Sequence, residues 1–106
     1  MLRYDVAGFG LGLYVMEAGP LVKIGKACSA YCRLTRCHRA FKAMGHEPGR
    51  WSFVRITGDM NDCECKEKKC IAALRKIAKP YLTKREFFTE VAFDEAERIV
   101  REIAAA

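Results

Sequence analysis

The sequence predicts an α+β domain that begins with a two-stranded hairpin. Three observations lead to this class: a turn between two short extended segments near the start, apolar residues at helical spacing in three later segments, and extended segments between those helices. The predicted order is β-β-α-β-α-β-α. Because 106 residues suit one core and no linker or repeat divides the chain, a single domain over residues 1–106 is expected.

The first half of the chain predicts the hairpin and one helix. Residues 11–17 and 21–25 have the pattern of paired strands, and Ala18-Gly19-Pro20 forms the turn between them. Ser29 is the expected N-cap of a helix that runs to Met44 or Gly45. Its apolar stripe recurs at helical spacing, at Leu34, Cys37, Phe41 and Met44.

The middle of the chain predicts a third strand and a second helix. Residues 51–57 alternate as a strand, which Gly58-Asp59 ends. Asn61 with Glu64 has the spacing of a capping box, so a helix is expected to start there and to end before Pro80. Its core-facing stripe is expected at Glu67, Cys70, Ile71, Leu74, Ile77 and Ala78.

The end of the chain predicts one more extended segment and a last helix. Residues 85–91 are extended and aromatic, and they are a candidate fourth strand. Asp94 with Glu97 again has capping-box spacing and starts the last helix. Its buried face is expected at Ala96, Ile99, Val100 and Ile103.

The charge balance favours an anionic partner. The chain has 19 Lys and Arg against 13 Asp and Glu, a net charge of +6. Nucleic acid fits this surplus better than a membrane, because no long uncharged apolar span is present. A basic surface that serves only solubility is the alternative.

Six cysteines leave room for a zinc-stabilised regulator. They fall into two groups, which are Cys28, Cys32 and Cys37-His38, and then Cys63, Cys65 and Cys70. Neither group has the Cys-x2-Cys spacing of a structural zinc site, and Cys37 and Cys70 also suit core positions. Because the first residues lack a secretory pattern, reduced thiols and a cytoplasmic location, in a bacterial or phage-infected cell, are expected.

Glu67 is a carboxylate at a position that periodicity assigns to the core. At about 100° per residue, it lies about 40° from Ile71 and about 20° from Leu74 on the helix surface. A buried carboxylate is costly unless a cation or a metal compensates it. The alternative is an acid in the first turns of the helix, where the helix dipole favours negative charge and water still has access.

Five stretches in order resemble the GIY-YIG nuclease superfamily, in particular its short phage-type branch with a Lys-Ile-Gly second motif. They are Gly12-Leu13-Tyr14-Val15, Val22-Lys23-Ile24-Gly25-Lys26, Arg33-Leu34, Glu67 with Cys70, Ile71 and Leu74, and Arg85-Glu86-Phe87-Phe88. With the C-terminal amphipathic helix, the resemblance covers about residues 11–104.

The resemblance implies a three-stranded antiparallel sheet flanked by helices and hydrolysis of DNA phosphodiester bonds with a divalent cation. It implies that Tyr14 orients the attacking water or takes its proton. Arg33 would neutralise the scissile phosphate, and Glu67 would bind the metal. Lys23 stands where other branches have a second tyrosine, and it completes the set of candidate catalytic residues.

These roles agree with the chemistry of the side chains. A carboxylate with water and phosphate oxygens is a normal shell for Mg²⁺, or for Mn²⁺ in its place. Arginine offers a phosphate a bidentate fork. Tyrosine has an ordinary pKa near 10, so action as a base requires a cationic neighbour, and Lys23 and Lys26 are expected to supply that field.

Further basic residues are candidates for contact with DNA. Lys26, Arg36, Arg39 and Lys42 form this set, for which a solvated face is the alternative. Structural alternatives also stand beside the catalytic candidates: Tyr14 as a strand aromatic, Lys23 as a solvated strand residue, and Arg33 in an ion pair. No separate DNA-binding domain is expected, so target selection would require a protein partner, a homodimer or very low specificity.

The sequence therefore predicts a small metal-dependent endonuclease of the phage or mobile-element type. The alternative is a catalytically weak or inactive module of the same fold that binds nucleic acid or inhibits a host protein. Retention of Tyr14, Arg33 and Glu67 favours the enzyme, whereas the small size and Lys23 favour the module.

Overall fold

The computed structural model describes residues 11–28, 30–81 and 84–106, with the side chains of 30–32, 84 and 85 outside that description. The predicted N-cap Ser29 lies outside the described residues. The elements in chain order are β1 (Gly12–Ala18), β2 (Leu21–Ala27), α1 (Ala30–Ala43), β3 (Pro48–Arg55), α2 (Met60–Ile77), β4 (Lys79–Tyr81), β5 (Lys84–Thr89) and α3 (Phe93–Ala105).

The α+β class is confirmed, and the sheet is larger than expected. Five strands lie in the order β3-β1-β2-β5-β4, and all four neighbouring pairs are antiparallel. The predicted extended segment at residues 85–91 contributes β5. Strand β4, which has three residues and contains Pro80, was not predicted. Proline is tolerated there because β4 is an edge strand.

The predicted hairpin is confirmed, with β1 shifted by one residue and β2 longer by two residues at its end. Ala18 pairs with Leu21, so Gly19 and Pro20 form a two-residue turn. Gly19 has a φ of 55°, a conformation that glycine adopts at little cost. Strand β3 starts earlier and ends earlier than the predicted 51–57, because it pairs with β1 from Pro48 onward.

The sheet separates two hydrophobic layers. One face packs against α1, and its buried residues include Tyr14, Met16, Leu34 and Phe41. The other face packs against α2 and α3, and its buried residues include Leu13, Val15, Ile24, Leu74 and Val100. This arrangement follows from the alternation of side chains along β1 and β2.

Helix α2 starts with a different capping box from the one predicted. Asp59 is the N-cap, its Oδ1 accepts from the Asp62 N–H at 3.0 Å, and Asp62 Oδ2 accepts from the Asp59 N–H at 3.1 Å. The expected pair of Asn61 and Glu64 is therefore wrong. Gly58 explains the preference, because a side chain there would occupy the space taken by the Asp62 carboxylate.

The core stripes follow the predictions with a few differences. All four stripe residues of α1 are buried or packed against the core. In α2, Ile77 is 50% exposed at the last helical residue, and Cys63, which was not expected in the stripe, is fully buried. In α3 the N-cap is Ala92 rather than Asp94, and Asp94 lies in the first turn of the helix, where its carboxylate accepts from Arg50.

Gly25 leaves room for the ring of Tyr14, its direct partner across the hairpin. A Cβ at position 25 would lie 2.5 Å from Tyr14 Oη and 2.7 Å from Cζ. The glycine of the Lys-Ile-Gly motif is thus required by the tyrosine of the preceding strand.

Gly25→Ala is therefore expected to displace Tyr14 and to lower the free energy of unfolding by about 1–3 kcal/mol. Urea denaturation and the NMR signals of the Tyr14 ring measure the two effects. Gly45→Ala is the control, because a Cβ there meets nothing within 4 Å and only its positive φ is penalised. Unchanged Tyr14 signals in Gly25→Ala would contradict the prediction.

Asp59→Ala is expected to destabilise the protein by about 1 kcal/mol, because the helix loses its cap. Asn61→Ala is expected to change the free energy of unfolding by less than about 0.5 kcal/mol, since Asn61 is exposed. Equilibrium denaturation of both variants distinguishes the two capping boxes, and a larger effect at Asn61 would restore the original prediction.

Candidate active site

Tyr14 and Lys23 meet on the face of the sheet that α1 covers. Tyr14 pairs with Gly25 and Met16 pairs with Lys23, so the tyrosine and the lysine are diagonal neighbours on β1 and β2. Lys23 Nζ donates to Tyr14 Oη at 2.5 Å. The same ammonium lies 4.9 Å from the centre of the Tyr14 ring and 5.3 Å from that of Phe87. The two motifs of the hairpin are thus joined by direct contact.

Glu86 is the carboxylate that accompanies this pair. Lys23 Nζ donates to Glu86 Oε2 at 2.8 Å, so the ammonium lies between a hydroxyl and a carboxylate. Glu86 belongs to β5, and the pairing of β5 with β2 consists of Val22 with Phe88 and Lys23 with Phe87. Glu86 immediately precedes Phe87, so the strand pairing places it beside β2, where the long Lys23 side chain reaches its carboxylate.

The environment of Tyr14 opposes its ionisation. Burial raises the pKa of the Tyr14 hydroxyl above its ordinary value, and the neighbouring Cys37 and Glu86 act in the same direction. Cys37 Sγ lies 3.8 Å from Tyr14 Oη, and the charge of Arg33 has the opposite, lowering effect. The pKa of Tyr14 is therefore raised, with burial as the largest cause, instead of lowered as expected beside Lys23 and Lys26, and Tyr14 is a protonated phenol at neutral pH.

Glu67 faces a cleft on the opposite side of the sheet from the Tyr14 ring. Its side chain is 13% exposed, and its Oε1 lies 3.8 Å from Lys26 Nζ. Lys26 also approaches Glu64 Oε1, at 3.7 Å. The cleft has a volume of about 310 Å³ and is lined by Lys26, Glu64, Glu67, Lys68, Ile71 and Glu86. Glu67 thus lies on the core stripe of α2, as periodicity predicts, and has a cationic neighbour.

Arg33 lies at a second cleft that shares two residues with the first. This cleft has a volume of about 270 Å³ and is lined by Lys26, Ala27, Cys28, Arg33, Met60 and Glu64. Lys26 and Glu64 therefore connect the surroundings of Arg33 with those of Glu67. Both clefts lie along the second half of β2, beyond the described pairing with β5. Side chains from both faces of the sheet can approach one another there.

The four predicted catalytic residues thus form two sets. Tyr14 contacts Lys23, and the charge of Arg33 acts to lower the pKa of Tyr14. Glu67 lies near Lys26, on the other side of the sheet from the Tyr14 ring. Glu86 connects the sets, because it contacts Lys23 and lines the cleft of Glu67, and Tyr14 and Glu67 also line one tightly packed pocket. Of the proposed DNA-binding residues, Lys26 lies at the clefts, and Arg36, Arg39 and Lys42 are exposed on α1.

Sequence reasoning did not assign site positions to Glu64 and Glu86. Glu64 precedes Glu67 by three residues, a spacing that places both on one side of a helix and could have identified it. Glu86 lies inside a stretch that resembles a family motif, but its contact with Lys23 spans 63 positions of the chain. No local pattern reveals that contact.

The donors available to metals are carboxylates and thiols. Within residues 11–28, 30–81 and 84–106, no three His, Cys, Asp or Glu side chains are close enough together to hold one metal ion. Cys28, Cys37, Cys63, Cys65 and Cys70 are free thiols. Glu67 suits a hard cation that takes its remaining ligands from water and phosphate, as Mg²⁺ commonly does.

The chain matches no family model, no curated protein and no solved structure. The resemblance to GIY-YIG nucleases therefore rests on the motifs in the sequence. In the described part of the chain, no helix has both the length and the apolar character needed to cross a bilayer.

Tyr14→Phe is expected to change how stability depends on alkaline pH. Because the folded pKa of Tyr14 is raised, its contribution to stability is fully present below about pH 10 and declines as pH rises above that value. Wild type should therefore lose about 1 kcal/mol more than Tyr14→Phe between about pH 9 and pH 11.

Urea denaturation of both proteins across this pH range measures the difference. The thiols of Cys63 and Cys70 also have raised pKa values, but they are present in both proteins and cancel in the comparison. Parallel pH profiles would contradict the expected burial of the Tyr14 hydroxyl.

Proposed function

We propose that this chain is a small metal-dependent endonuclease that hydrolyses DNA phosphodiester bonds. The observation that carries the proposal is the position of Glu86, which accepts from the lysine bound to Tyr14 and also lines the cleft of Glu67. A phenol from β1, an ammonium from β2 and carboxylates from β5 and α2 thus lie around the same part of the sheet. Phosphodiester hydrolysis uses such groups to orient water, to bind phosphate oxygens and to hold a divalent cation.

In this proposal Tyr14 orients the attacking water and does not remove its proton. The raised pKa keeps the phenol neutral at physiological pH, which suits a hydrogen-bonding role. Lys23 fixes the position of the hydroxyl by donating to its oxygen. Arg33, at the cleft that Lys26 also lines, binds phosphate oxygens through its planar fork.

Glu67 would hold the divalent cation, Mg²⁺ or Mn²⁺. Its carboxylate fits this role, because it faces a cleft and offers hard oxygen donors. When bound, the cation neutralises phosphate charge and lowers the pKa of a coordinated water. Lys26, whose Nζ lies 3.8 Å from Glu67 Oε1, would be within reach of a phosphate group at the same cleft.

A non-catalytic module that binds nucleic acid is the second candidate. The observation that favours it is that both central groups already have partners within the chain. Tyr14 Oη accepts from Lys23, and Glu67 is accompanied by Lys26. In this alternative the exposed cations of α1 bind the phosphate backbone, and the residues of the two clefts are structural.

Glu67→Ala is expected to abolish metal-dependent cleavage and to leave the fold intact. Supercoiled plasmid and single-stranded DNA are incubated with wild type and variant in Mg²⁺, in Mn²⁺ and in chelator, and circular dichroism monitors folding. Glu47→Ala is the control, because it removes the same charge from an exposed loop residue.

The outcomes separate the two candidate functions. Nicking that requires metal and disappears only in Glu67→Ala supports the endonuclease. Full activity in that variant refutes the assigned role of Glu67. DNA binding that weakens with salt, with no cleavage by any of the three proteins, favours the non-catalytic module.

A further inference from the structure

We infer that Glu86 is a positioning residue that holds the Lys23 ammonium against the Tyr14 hydroxyl, and that turnover depends on this contact. The kinetic part of the inference rests on the proposed nuclease function. The placement of Lys23 by Glu86 does not depend on it.

The burial of Lys23 makes its ammonium depend on neighbouring groups. The residue is only 9% exposed, so its ammonium has lost most of its water. A buried charge is unfavourable unless an opposite charge and hydrogen bonds compensate it. Tyr14 provides an oxygen, and the rings of Tyr14 and Phe87 provide two aromatic faces. Glu86 is the opposite charge in contact with Lys23 within the described part of the chain, at 2.8 Å.

The contact with Glu86 determines the direction in which the Lys23 side chain extends. The lysine side chain is long and flexible, and the carboxylates of Glu64 and Glu67 line the neighbouring cleft together with Glu86. Without Glu86, the ammonium would gain by leaving its apolar surroundings for water or for those carboxylates. Tyr14 would then lose its charged donor, and its hydroxyl would keep only the weak thiol contact from Cys37 Sγ at 3.8 Å among its described donors.

Glu86, unlike Lys23, is partly exposed to solvent. Its side chain is 43% exposed, so the carboxylate contacts Lys23 on one side and faces the cleft on the other. A negative charge at a cleft that receives DNA weakens the binding of a polyanion. Electrostatics alone therefore predicts that Glu86→Gln improves binding and leaves turnover unchanged. A positioning role predicts instead that turnover falls in Glu86→Gln.

The test measures kcat and KM for plasmid cleavage in Glu86→Gln and Glu86→Asp. In Glu86→Gln we expect kcat to fall about tenfold to a hundredfold, with KM unchanged or lower, because misplaced groups near the reacting atoms reduce rate more than binding. Glu86→Asp keeps the charge and should retain an intermediate kcat. Glu90→Gln is the matched control, since it removes the same charge from an exposed residue just after β5.

A second readout reports on Lys23 directly. In ¹H–¹⁵N spectra of the lysine ammonium groups, Lys23 should give a slowly exchanging signal, assigned by its absence in Lys23→Met. The signal is expected to persist in wild type and in Glu90→Gln and to vanish in Glu86→Gln. If Glu86→Gln fails to fold, Glu86→Asp provides the test. A shifted Lys23 signal together with a reduced kcat in Glu86→Asp supports the inference. A Lys23 signal and a kcat that both equal those of wild type overturn it.

The outcomes distinguish this inference from the nuclease proposal. An unchanged kcat and an unchanged Lys23 signal in folded Glu86→Gln, with cleavage by wild type, overturn the inference and leave the nuclease proposal standing. Absence of cleavage by wild type overturns the nuclease proposal and the kinetic part of the inference. The Lys23 signal then tests the positioning role. Loss of the signal in Glu86→Gln supports the role, and persistence of the signal refutes it.

Discussion

The compensation of the buried Lys23 ammonium is the constraint on which the candidate site depends. The charge is acceptable in its position because a carboxylate, a phenol and two aromatic faces surround it. Each of these partners makes its own demand on the fold. The phenol requires a glycine opposite it in β2, and the carboxylate requires β5 to join the sheet beside β2. The hairpin and the later strand are thus tied together by one charged group.

Much of the fold could be predicted from the sequence, because the signals that specify it are local. The turn at Gly19-Pro20 and the apolar stripes of α1 and α3 depend on residues a few positions apart, and these predictions are confirmed. Strand β4 was missed because three residues with a proline carry no alternation. The capping box of α2 was assigned two residues too late, because the space that Gly58 leaves for Asp62 becomes evident only in three dimensions.

The candidate site was less predictable, because its chemistry depends on contacts between distant segments. The motifs identified Tyr14, Lys23 and Glu67, but they gave no sign that the Tyr14 ring packs in the layer of α1 while Glu67 extends from α2 on the other face of the sheet. Burial, which dominates the pKa of Tyr14, is a property of the packed structure rather than of neighbours in sequence. Glu86 acquires its significance only when β5 pairs with β2.

The two outer strands of the sheet bear on how the molecule avoids unwanted association. Strand β3 carries Pro48 and the exposed Arg50 and Arg55, and β4 carries Pro80 beside the exposed Lys79. Prolines and exposed cations at sheet edges prevent a further strand from adding to the ladder. These two edges therefore disfavour the pairing of a strand from a second copy with the sheet, the kind of contact through which exposed sheet edges aggregate.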